Sequence, residues 1–242
     1  MKDWKYETAA DHGLAPKEKL VSLKREVGLG GYLLQRAWRA GTRLYLRCYH
    51  RLEVIGKDAL PREAPFILVC NHTSHLDTLA IASALPWRLR QSVFPIGAGD
   101  TFFETPVAAF FSGMLLNALP LWRHRCGRHA LDELRTRLIS EPAIYILFPE
   151  GTRTRDGRTK PFKSGIGMLI AESPAPVVPC HISGAFEALP PDRRLPRPRS
   201  ITLRIGTPLR FEDVSNRREG WDRIRDEIEA AVAALGAGKE PG

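Results

Sequence analysis

Apolar residues in this chain fall into short runs, separated by longer stretches in which they recur every three or four positions. The runs predict strands at Leu52–Ile55, Phe66–Cys70, Ser92–Ile96, Ala118–Trp122, Ala143–Phe148, Val177–His181 and Ile201–Ile205; most are bounded by Gly, Pro or polar residues. The longer stretches predict helices over His75–Ala84, Thr105–Leu115, Arg128–Ser140, Gly165–Glu172 and Glu219–Leu235. Alternation of this kind predicts an α/β fold, a single domain with a mostly parallel or mixed central sheet flanked by helices. Pro190–Arg199, rich in proline and arginine, carries neither period and reads as a surface loop.

Ahead of the first strand the pattern changes. Arg36, Arg39, Arg43, Arg47 and Arg51 recur at spacings of three and four, which on a helix makes one cationic stripe. Leu34, Trp38, Gly41, Tyr45 and Tyr49 share the other side, widened by Leu33, Ala37, Leu44 and Cys48. Two readings stay open: a basic amphipathic helix at the interface of an anionic bilayer, or a helix that packs its apolar face on the protein's own core. The expected organisation is a polar segment and basic helix over residues 1–50, the α/β domain over 51–236 and a flexible tail over 237–242. Residues 1 to about 17 read as irregular. The uncharged run Thr105 to Trp122 contains Pro106, Ser112, Asn117 and Pro120, which favours a helix followed by a strand over a membrane span.

Charge and composition narrow the partners. A formal net charge of +9 at pH 7 points to an anionic partner, but no base-reading motif or aromatic stacking signature accompanies it, so nucleic acid is not expected. Hydrophobic content of 43% beside 26% charged residues describes a folded globule and excludes disorder as the main state. Cys48, Cys70, Cys126 and Cys180 stand far apart without a C-x-x-C pair, so reduced thiols and no metal are expected. No apolar secretory core follows Met1, and a cytoplasmic setting is expected.

The run Phe66–Cys70 leads into Asn71-His72-Thr73-Ser74-His75-Leu76-Asp77. Five residues along a continuous helix is about 500°, which leaves His72 and Asp77 roughly 140° apart. The two can therefore meet only across a strand-to-helix turn, where histidine is a candidate base and aspartate its orienter. His75 reads as a helix-surface histidine. A second strand ends in Phe148-Pro149-Glu150-Gly151-Thr152-Arg153-Thr154-Arg155, and Arg158, Lys160 and Lys163 follow. Such a loop is either a phosphate-binding cluster, with Glu150 holding an arginine in place, or a solvated basic surface. Leu119-Pro120-Leu121-Trp122-Arg123 and Val177-Val178-Pro179 are further strands with polar or glycine-containing turns beyond them.

Together these blocks resemble the 1-acyl-glycerol-3-phosphate acyltransferase family, the lysophospholipid acyltransferases. The family's Asn-His-x-x-x-x-Asp, Arg-ending, Phe-Pro-Glu-Gly-Thr-Arg and Val-x-Pro blocks appear in order at Asn71 to Asp77, Ala118 to Arg123, Phe148 to Arg153 and Val177 to Pro179. The resemblance spans roughly residues 52 to 210. It implies acyl transfer from acyl-CoA or an acyl carrier protein thioester to the hydroxyl of a lysophospholipid, with no other cofactor. His72 would be the base and Asp77 its partner; Asn71, Arg123, Glu150, Gly151, Thr152, Arg153 and Lys163 would bind substrate. Lysophosphatidate is the acceptor the resemblance implies, with another lysolipid such as lyso-ornithine lipid, or water in a thioesterase, as alternatives. The implied place of action is the cytoplasmic face of the cell membrane. Three positions depart from the family pattern: Asn117 stands where glycine is common, Thr154 where serine is common, and a lysine often found ahead of the second block has no counterpart around Gly97 to Gly99.

Overall fold

The computed structural model describes residues 11–22, 25, 28–121 and 128–238. Seven strands, β1 (Glu53–Ile55), β2 (Phe66–Cys70), β3 (Val93–Ala98), β4 (Leu119–Leu121), β5 (Ile144–Leu147), β6 (Val177–Ser183) and β7 (Thr202–Ile205), form one sheet in the order β1-β7-β6-β2-β5-β3-β4. From β6 to β4 all neighbours are parallel, whereas β7 runs antiparallel to β6 and β1 follows β7. The sheet is thus mixed, as the alternation of elements predicts.

The pleat distributes the apolar runs to two cores. Phe66, Leu68 and Cys70 of β2 join Ile144, Ile146, Val178, Cys180 and Ile182 on one face. Ile67 and Val69 join Tyr145 and Val177 on the other. Alternate residues of a strand point to opposite faces, so a strand covered on both sides must be apolar throughout. Helices α1 (Pro16–Val21), α2 (Leu29–Tyr49) and α3 (Leu76–Ala84) precede the third strand, and α3 covers the first face through Ala80, Ile81 and Ala84. Short helices α4 (Gly99–Phe102) and α5 (Pro106–Ala109) follow. Helices α6 (Arg128–Ser140), α7 (Gly165–Ile170), α8 (Ala185–Ala188) and α9 (Arg218–Gly236) complete the set, with α6, α7 and α9 on the second face. Ile224, Ile228 and Val232 of α9 recur every fourth residue and are buried, each contributing roughly 1.5–3 kcal/mol.

Several expectations are corrected. The Thr105–Leu115 helix is split into α5 and a π-helical turn at Phe110–Leu115, and α1 begins within the segment read as irregular. In α2 the aromatic side is the one packed inward: Trp38 meets Phe111 edge-on at 5.4 Å, and Tyr45 stands against His50. Leu46 is fully buried in the first core. Leu29 (76% exposed), Leu33 and Leu44 (64% exposed) are left in water, and Leu34 and Tyr49 at the margin of the packed side are also exposed. Arg39 is half-buried and bonds Gln35, and Arg51 lies beyond the end of α2, so the outward cationic stripe reduces to Arg36, Arg43 and Arg47. Asn117 takes the left-handed conformation at φ +57°. Asparagine is one of the few residues other than glycine that enter this conformation readily, and the Asn117 side chain bonds Arg25 and the Val93 carbonyl. Among the described residues no helix is long and apolar enough to cross a membrane.

Candidate active site

The carboxyl ends of β2, β5 and β6 lie side by side, since Val69 pairs with Leu147 and Cys70 with Cys180. From this edge the chain turns into α3, and Asp77 sits in that helix's first turn, fully buried. Its Oδ2 accepts from His72 Nδ1 at 3.0 Å, from the Thr73 amide at 2.6 Å and from the Ser74 amide at 2.8 Å. An acceptor already serving two amides fixes Nδ1 of His72 as the donor, which leaves Nε2 as the free basic nitrogen. The Phe148 ring stacks on the imidazole at 4.1 Å between centroids, restricting its rotation.

The basic loop after β5 grips the main chain of His72 from both sides. The His72 amide donates to Glu150 Oε1 at 2.7 Å, and the His72 carbonyl accepts from the Thr154 amide at 3.0 Å. The other Glu150 oxygen accepts from the Lys160 amide at 3.0 Å, so this buried carboxylate is committed to two backbone N–H groups and does not hold an arginine. Burial raises its pKa, and the two amide bonds oppose the rise. Gly151 adopts φ +73°, a conformation that favours glycine. Lys163 Nζ lies over it, 2.7 Å from where a Cβ would stand. Lys160 Nζ donates to Thr152 Oγ1 at 3.1 Å and to the Arg153 carbonyl at 2.8 Å, pinning the turn that presents Arg153. The half-buried Arg153 guanidinium makes no hydrogen bond or ion pair to any described side chain. Burial lowers its pKa, and the Asp77 charge acts in the other direction.

His75 holds the N-cap position of α3 without a capping hydrogen bond, is exposed, and meets Phe102 edge-on at 5.9 Å. Desolvation, then the charges of Arg153 and His72, push its pKa down to about 4. It is a surface residue that feels the charges of Arg153 and His72.

Asn71 is not free to bind substrate. Its Oδ1 accepts from the Ile182 amide at 2.8 Å and its Nδ2 donates to the Ile182 carbonyl at 3.0 Å, which bolts the end of β2 to β6. Arg123 lies outside the described residues. Phe148 and Thr154 are site residues that the residue types alone did not single out, and both lie in or just beyond the Phe-Pro-Glu-Gly-Thr-Arg block; Lys160, read as one cation of the basic cluster, instead ties the loop together.

A histidine–aspartate pair at the carboxyl edge of a largely parallel sheet, locked to a basic loop whose arginine is unpaired among the described residues, marks an α/β protein with a candidate base beside a candidate anion site. The chain belongs to the Acyltransferase family, whose model matches residues 51–183. It is 27% identical over 170 residues to 1-acyl-sn-glycerol-3-phosphate acyltransferase alpha of Mus musculus, covering 68% of this chain and 57% of that one. It is 32% identical over 145 residues to the chloroplastic 1-acyl-sn-glycerol-3-phosphate acyltransferase BAT2 of Brassica napus, covering 59% and 40%. The chain thus spans about half the length of these relatives. The crystal structure of the 1-acyl-sn-glycerophosphate (LPA) acyltransferase PlsC from Thermotoga maritima matches with a TM-score of 0.64 at 25% identity, over 85% of this chain and 80% of that one.

Proposed function

We propose that this protein transfers a fatty acyl group from a thioester to the free hydroxyl of 1-acyl-glycerol-3-phosphate, giving phosphatidate and a free thiol. The observation that carries this reading is the free Nε2 of His72, oriented through Nδ1 by Asp77, on a main chain clamped to the loop of Arg153. His72 takes the hydroxyl proton as the acceptor oxygen attacks the thioester carbonyl. Collapse of the tetrahedral intermediate expels the thiolate, which takes the proton back from the imidazolium. Asp77 stabilises the imidazolium in between. Arg153, with Lys163 nearby, offers charge to the acceptor phosphate. The donor is acyl-CoA or an acyl carrier protein thioester, and no metal or further cofactor is needed for these steps.

The reaction is proposed to run at the cytoplasmic face of an anionic membrane. Leu29, Leu33 and Leu44 of α2, flanked by Arg36, Arg43 and Arg47, form an exposed apolar strip of the kind that enters the headgroup region. Val107 (81% exposed), Phe110 and Phe111 are further exposed apolar residues, on the turn that meets α2 at Trp38.

The test is transfer of a labelled acyl group by purified wild type and His72→Ala over a panel of lysolipids, with far-UV circular dichroism to establish that both fold. Wild type is expected to acylate lysophosphatidate, and His72→Ala to lose at least a hundredfold in kcat. Full activity in His72→Ala, or release of acyl groups to water with no acceptor product, overturns the reading.

A further inference from the structure

Four prolines and four arginines crowd into Pro190–Arg199, a loop with no regular structure that the catalytic argument leaves unused. Its place is set by topology. β6 ends on the same edge as His72, and α8 and this loop follow before β7 starts back from that edge. Ser74 Oγ donates to the Leu189 carbonyl at 2.9 Å, joining the base of the loop to the His–Asp turn. On its other flank Tyr49 of α2 donates to the Pro196 carbonyl at 3.2 Å, and the buried His50 Nδ1 bonds the Arg199 carbonyl at 3.1 Å.

The loop is firmly built. The Arg197 amide donates to the Ala188 carbonyl at 2.7 Å and the Arg193 amide to the Pro190 carbonyl at 3.1 Å. Pro190, Pro191, Pro196 and Pro198 fix φ at their own positions. A frame this stiff has little freedom left to lose on docking. Yet at its tip Leu195 is 78% exposed, and Arg193, Arg194, Arg197 and Arg199 are exposed around it, with only Asp192 of opposite sign. Among the described residues none of the four guanidiniums has a hydrogen-bond or ion-pair partner.

We infer that the Pro190–Arg199 loop is a second membrane contact, in which Leu195 enters the headgroup region of an anionic bilayer while the surrounding arginines bind lipid phosphates. A leucine held out among arginines matches a surface that is charged outside and apolar just below. It fits an acidic protein less well, since the arginines alone would serve there. The loop adjoins the C-terminal end of α2 at Tyr49 and reaches the catalytic edge at Ser74. With both in contact, the mouth of the site faces the leaflet that holds the acceptor. The inference rests on the proposed action on a membrane lipid.

The experiment is sedimentation of the full chain with phosphatidylcholine vesicles, with and without phosphatidylglycerol, at low and high salt. Arg193→Gln/Arg194→Gln/Arg197→Gln is expected to lower partitioning onto anionic vesicles about fivefold per arginine and on the order of a hundredfold in all at low salt. That loss should shrink at high salt, and partitioning onto neutral vesicles should not change. Leu195→Ser is expected to weaken anionic-vesicle binding roughly tenfold at either salt. Unchanged partitioning of both variants overturns the inference. So does a triple variant that binds vesicles normally but loses turnover with an acyl carrier protein donor alone, which would assign the loop to a protein partner. Partitioning needs no turnover, so it is also read on His72→Ala. If the acyltransferase reading fails and the loop variants still lose vesicle binding, the membrane contact stands on its own.

Discussion

Glu150 offers the sharpest test of how the site is held. The family resemblance implies that it binds substrate, whereas its two oxygens accept from the part-buried amides of His72 and Lys160. Glu150→Ala strands both N–H groups, at about 1–3 kcal/mol each, so a loss of about 2–6 kcal/mol in folding stability is expected. Glu150→Gln keeps one acceptor oxygen and turns an NH2 toward the other amide, so about 1–3 kcal/mol should be lost. Because the His72 main chain shifts in both variants, kcat is expected to fall for phosphorylated and phosphate-free acceptors alike. Urea unfolding followed by steady-state kinetics on both acceptor types makes the measurement. The wild-type carboxyl also predicts a slope: its raised folded pKa means stability falls as pH rises from about 4.5 through the folded value, and Glu150→Gln should remove that slope. The reasoning is refuted if Glu150→Gln unfolds within about 0.5 kcal/mol of wild type and raises KM for the phosphorylated acceptor only.

Arg153→Ala should raise KM for lysophosphatidate on the order of tenfold to a hundredfold and leave a phosphate-free acceptor nearly unchanged; equal effects on both would remove arginine from the phosphate site. Phe148→Leu removes the ring stacked on His72 and is expected to lower kcat several-fold at constant KM, read as the split between the two constants. Burial lowers the pKa of His50, and His181 is lowered in the same way. Unfolded histidines take up protons near 6.5 while these folded ones resist, so their contribution to stability is present above that pH and lost as pH falls through the folded values. Urea midpoints between pH 7.5 and 5 should show the loss, and His50→Gln should make it shallower.

Much of the fold is legible in the chain because a strand buried on both faces must be apolar throughout. Phe66–Cys70 and Arg128–Ser140 are read to the residue for that reason and for the regular spacing of Leu134 and Leu138. The reversal of β7 and β1 is not legible, since a short apolar run has the same composition in either direction. α2 fails differently. It has two apolar sides, and composition cannot say that Trp38 and Tyr45 meet the protein while Leu33 and Leu44 meet water. At the site, the five-residue spacing of His72 and Asp77 already demands a turn. The binding of Glu150 and Asn71 to backbone groups is hidden, because a polar side chain that serves a distant amide looks in sequence like one that serves a ligand.

The double grip on His72, through Glu150 at its amide and Thr154 at its carbonyl, makes the base and the basic loop one rigid jig. On the proposed reading, such a jig works as a ruler. With the phosphate seated at one end, the base at the other reaches only a hydroxyl at a set distance along the acceptor. An isomer carrying the same groups with its hydroxyl one carbon away would bind at the phosphate and miss the nitrogen. Selectivity among acceptors would then be a matter of length, fixed by main-chain hydrogen bonds that never touch the lipid.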